Sequence, residues 1–114
     1  MNKEATIKYI EDNYESWYVA GLADFVRIPN LTPMVDSEYQ TNGLVEQAIK
    51  VVDDYIQKLS IKGLSRKVVH PEGKNPLVVY VVDPTEGATK NVMVYGHLDK
   101  QPWGTGWLEH LHAT

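Results

Sequence analysis

The sequence contains no cysteine. That excludes a disulfide framework and any thiolate-held metal, so only His, Asp and Glu are left to bind one. It has no run of Lys and Arg, and its formal net charge is −4. An acidic chain without a basic stripe is not expected to bind nucleic acid. No stretch approaches the ~18 apolar residues of a membrane span. The charged opening MNKEATIKYIEDNYESW lacks the apolar core of a secretory signal. No membrane partner is expected, and a cytoplasmic location is the default. Hydrophobic residues make up 43% of 114, a share that fits one small globular domain and not a disordered chain.

Periodicity supplies the elements. Ile7, Ile10, Tyr14, Trp17, Leu22, Phe25 and Val26 recur at spacings of three and four, which predicts helix over Lys3–Val26. Gly21 lies inside that run and is expected to mark a bend, and Pro29 and Pro33 end it. A second helix is expected from Asp36 or Ser37, either of which can cap it. Its stripe is Val45, Ala48, Ile49, Val52, Ile56 and Leu59, with Asp53 among the residues turned to water, and Gly63 is placed to stop it. Three strands are expected at Arg66–His70, Leu77–Val82 and Asn91–Tyr95, separated by turn-rich PEGKNP and DPTEGATK. The second and third are apolar on both faces, the pattern of strands covered on both sides. Two helical segments followed by three strands predict an α/β or α+β architecture with an incomplete sheet. The third strand has no successor, so its outer edge is expected to be exposed, or covered by another chain.

Chemistry concentrates in VMVYGHLDKQPWGTGW. His97 and Asp99 stand two apart just past the third strand, so in extended chain both side chains point to one side. Gly96 permits a sharp turn there. A neutral imidazole is a common zinc ligand, and a nearby carboxylate commonly takes its other ring N–H. Alone the motif is weak. About a quarter of chains of this composition would carry a His-x-Asp by chance, and a loop histidine bonded to a nearby aspartate accounts for it without a metal.

The ordered set FVRIPN, an apolar strand, YGHLDKQP and a following Gly-Trp resembles the amino-terminal part of the di-zinc exopeptidase family. That family includes carnosinase, cytosolic nonspecific dipeptidase, aminoacylase and glutamate carboxypeptidase, and the likeness is greatest to the dipeptidase branch. It covers Ile7 to Trp107 and is sharpest over Tyr95–Pro102, with Phe25–Pro29 in support. The resemblance implies that residues 1–114 are a partial metallopeptidase catalytic domain. It implies that His97 is a metal ligand, that Asp99 is the candidate catalytic carboxylate orienting and polarising it, and that Gln101 and Pro102 belong to the loop after the site. Lys100 departs from the small apolar residue of the family pattern. The implied cofactors are two divalent ions, zinc or manganese, and the implied substrate is a dipeptide or small amide. The family's bridging aspartate, its glutamate pair and its lid domain have no counterpart here, so the expected product is a truncated metallo-exopeptidase that is inactive in isolation. A non-enzymatic interaction module, self-associating through the exposed sheet edge, and an unstable gene fragment are the alternatives. His110 and His112 read as exposed imidazoles near a terminus, His70 as a strand-end residue, and Trp103 and Trp107 as packing or loop-covering aromatics.

Overall fold

A computed structural model describes residues 2–111. Helix α1 spans Lys3–Asn13 and is capped by Asn2, whose Oδ1 accepts from the Ala5 N–H at 3.2 Å. The helix widens into a π-helical stretch over Tyr14–Val19 and continues as α2, Ala20–Val26. The expected long helical segment is therefore present, and Gly21 has a packing role in it. Gly21 is buried against the Tyr55 ring, and an added Cβ would collide with that ring. The glycine serves a close approach of helix to helix. Tyr55 completes the contact by donating its hydroxyl to the Trp17 carbonyl, with the two rings 4.9 Å apart.

The second helix, α3, spans Leu44–Lys58; it starts with its apolar stripe but later than the candidate caps Asp36 and Ser37 suggest. Asp36 caps a local turn instead. Its Oδ1 accepts from the Glu38 N–H at 3.0 Å and its Oδ2 from the Asn42 amide at 2.8 Å. Gly43 then takes a left-handed φ of +73°, which breaks any helical path from Ser37. The far end is corrected in the same way. Ser60, at φ +49°, turns the chain out of the helix, while Gly63 shapes the turn into the first strand. Val45, Ala48 and Ile49 are the buried apolar core among the described residues.

Strands β1, Leu64–Val69, and β2, Leu77–Val82, form an antiparallel pair with Leu64 opposite Val82 and Val69 opposite Leu77. The broad class is thus α/β, mixed helices with a small antiparallel sheet. The expectation of three strands is corrected. Among the described residues the sheet has two, and Asn91–Tyr95 pairs with neither. Val92, Met93 and Val94 are 89–91% exposed. Nor is β2 covered on both faces, since Leu77, Val81 and Val82 are exposed. An apolar run records that a segment is suited to burial, but burial requires a second layer, and the described residues provide none on that side. The molecule is accordingly thin, 47 × 40 × 21 Å. No helix among the described residues is long and apolar enough to cross a membrane.

Candidate functional site

The site is built where the loop after α2 meets the loop after residue 95. Asn30, the last residue of FVRIPN, is buried at 1% exposure. A buried amide must be hydrogen-bonded. Asn30 Nδ2 donates to the Leu98 carbonyl at 2.8 Å, and its backbone carbonyl accepts from the Lys100 N–H at 3.0 Å. The Lys100 carbonyl in turn accepts from the Thr32 N–H at 2.8 Å, giving a single parallel bridge between Leu31 and Lys100. The two stretches that carry the family resemblance are therefore joined through their backbones.

Lys100 locks that junction. Its Nζ donates to the Ile28 carbonyl at 2.8 Å and to Asn30 Oδ1, and lies 3.8 Å from the centre of the Phe25 ring. Burial pulls its amine down to about 8. The lysine that departs from the family pattern thus spends its charge on the FVRIPN loop.

With Leu98 and Lys100 pinned, His97 and Asp99 project from the same short loop. His97 Nδ1 lies 3.1 Å from Asp99 Oδ1 and 2.9 Å from the Asp99 carbonyl oxygen. Both partners are acceptors, so the proton of a neutral ring sits on Nδ1 and the lone pair on Nε2. His97 is 67% exposed and Asp99 28%. Nε2 has no hydrogen-bond partner among the described residues. The loop forms one rim of an open cleft of about 480 Å3, whose floor is Val45, Ile49 and Val52 of α3 and whose other wall is β2.

As a donor set this is one imidazole nitrogen with a carboxylate behind it. Among the described residues no three His, Asp or Glu side chains converge. A catalytic zinc takes three protein ligands, so the residues present do not make such a site by themselves. His110 lies in a short 3-10 turn, Glu109–Leu111, and is exposed. His112 lies outside the described residues. His70 is exposed just beyond β1. Trp103 and Trp107, expected to cover or pack, are more than half exposed and line a second cavity of about 310 Å3 with Val26, Ile28 and Pro29.

Sequence reasoning missed two groups. Asn30 carried a signal, a polar residue directly after the proline that ends a helix, but its partners lie about seventy residues away. Asp53, read as a solvent-facing helix residue, is instead gripped by the sheet. Arg66 contacts it in a fork, Nε to Oδ1 at 2.6 Å and Nη2 to Oδ2 at 2.5 Å, and the Tyr80 hydroxyl donates to Oδ1. Burial raises the Asp53 carboxyl, but the bonds from Arg66 and Tyr80 outweigh it and hold it below its ordinary value. Burial and the bond to Asp53 push the Tyr80 hydroxyl up to about 12. No protein-family model and no curated protein matches the chain.

Proposed function

We propose that this chain is the amino-terminal part of a two-metal exopeptidase-type catalytic domain of the dipeptidase kind, acting in the cytoplasm. It presents His97 as one ligand for zinc or manganese, and Asp99 acts as the positioning carboxylate that fixes the ring. The observation that carries this reading is the His97–Asp99 pair itself. Its Nδ1 is occupied by a carboxylate and a carbonyl, and its Nε2 is open at the rim of a cleft. That is the arrangement a histidine ligand needs, since its second-shell acceptor sets the tautomer. The sequence pattern around it, G-H-L-D-K-Q-P with FVRIPN buttressing it, is the further support. The substrate class, dipeptides or small amides, follows from the resemblance alone.

One imidazole provides no chelate, so zinc binding by the purified chain is expected to be weak and hydrolysis absent. The check is a zinc titration followed through the ring nitrogens of each histidine by NMR, with Ala-Ala hydrolysis assayed alongside. The expected result is a zinc-dependent shift at His97 Nε2, lost in His97→Ala and weakened about 10–100-fold in Asp99→Asn, with no turnover. Zinc that perturbs only the other histidines would remove the metal reading. Steady hydrolysis by the purified chain, abolished by His97→Ala, would show that the residues present suffice.

A further inference from the structure

Asp99 turns two acceptors to one atom. Its carbonyl lies 2.9 Å and its carboxylate 3.1 Å from His97 Nδ1. Asp99 belongs to no helix or strand, so no ladder of its own segment holds both acceptors there. Both peptide units flanking Asp99 instead end on one distant residue. The Leu98 carbonyl accepts from Asn30 Nδ2 at 2.8 Å, which fixes the peptide plane before Asp99. The Lys100 N–H donates to the Asn30 carbonyl at 3.0 Å, which fixes the plane after it. In a trans peptide the C=O and the next N–H point opposite ways. With the Lys100 N–H directed at Asn30, the Asp99 carbonyl is directed away from it, towards His97 Nδ1. Two fixed planes also set φ and ψ of Asp99, and with them the direction in which its carboxylate leaves the backbone.

Asn30 can do this in one orientation only. Its side-chain amide has a donor end and an acceptor end. Reversed, it would set its oxygen against the Leu98 carbonyl oxygen. The Lys100 ammonium is a donor only, and it donates to Asn30 Oδ1, so Nδ2 is left for Leu98. Nζ is itself placed by the Ile28 carbonyl and the Phe25 ring. Asn30 is 1% exposed, so water does not compete for either end of its amide.

We infer that Asn30 is the positioning residue of His97. Oriented by Lys100, it holds the two peptides around Asp99 so that both Asp99 acceptors face Nδ1, and the ring keeps its proton there and leaves Nε2 bare. Asn30 acts through Asp99 and is not itself a ligand. Its part in metal binding rests on the reading of His97 as a ligand, whereas its control of the ring's tautomer does not.

The test reads His97 first without metal. Nitrogen NMR of the neutral ring in the parent chain is expected to show Nδ1 protonated and Nε2 bare. Asn30→Asp keeps the size of the side chain and an acceptor for Lys100, but loses the donor to Leu98. Lys100→Met keeps an unbranched stem and loses the ammonium. In each variant the ring is expected to become a mixture of tautomers, with the circular dichroism of the parent. Zinc affinity at His97 is expected to fall about tenfold in each, the lower end of what loss of a supporting group costs. Variants that fold like the parent yet keep the Nδ1–H ring overturn the proposal, because Asn30 is then structural only. A parent ring already in mixed tautomers overturns it as well. A tautomer that follows Asn30 in a chain whose His97 ignores zinc upholds the positioning and removes the metal reading alone. If both variants unfold, hydrogen exchange of the parent decides. The Lys100 N–H and the Asn30 side-chain N–H are expected to exchange slowly, and free exchange of either overturns the proposal.

Discussion

Asp53, Arg66 and Tyr80 show how three side chains tie α3 to both strands. Arg66 and Tyr80 are register partners across the pair, so they stand side by side and reach one carboxylate on the helix. The tie should fail at both ends of the pH scale. Asp53 titrates below its ordinary value of 3.8 in the folded chain, so its contribution is present above that value and lost as pH falls through the folded one. Tyr80 is raised from 10.0 to about 12, so its contribution is complete below pH 10 and lost as pH rises towards 12. Urea unfolding across pH is expected to show both limbs. Tyr80→Phe should cost about 1–2 kcal/mol near neutrality and flatten the alkaline limb. An alkaline limb unchanged in Tyr80→Phe would assign it to other groups.

The elements illustrate which sequence signals are local. The stripe of α3 was legible because it needs only the 3.6-residue period, and its buried members Val45, Ala48 and Ile49 are all in it. Its ends were not, because Ser60 and Gly43 are set by backbone geometry and by the capping of Asp36 and Asn42. Ser60 holds a left-handed φ of +49° that an L residue adopts at some cost. Ser60→Gly is therefore expected to stabilise the chain by about 0.5–1 kcal/mol, read as a higher denaturation midpoint with an unchanged slope. No gain, or a loss, would mean that the serine hydroxyl or the unfolded chain's entropy outweighs the strain.

At the scale of the whole molecule, the thin shape divides the chain into parts that protect one another and a part that does not. Helix α3 holds the buried apolar residues and is tied to the β1–β2 pair through Asp53, while Val92–Val94 are almost fully exposed. Hydrogen exchange should report this as a difference in protection along the chain. Amides of α3 and of the paired strands are expected to be protected. Those of residues 92–95, exposed and unpaired, should exchange freely. Slow exchange at 92–95 would show that the segment is covered in solution.

The sequence by itself determined the helical segments, the two paired strands, the acidic and cysteine-free surface, and the closeness of His97 to Asp99. Each of these follows from neighbours within a few positions, through helical period, strand alternation, side-chain charge or the i, i+2 geometry of an extended loop. Only the tertiary structure decided that Asn30 and Lys100 weld the two motif-bearing loops together, that Gly21 yields to Tyr55, and that Asp53 faces the sheet. It also decided that Asn91–Tyr95, strand-like in composition, stands unpaired. Those outcomes depend on partners tens of residues away, and an apolar pattern specifies a demand for burial without naming what meets it.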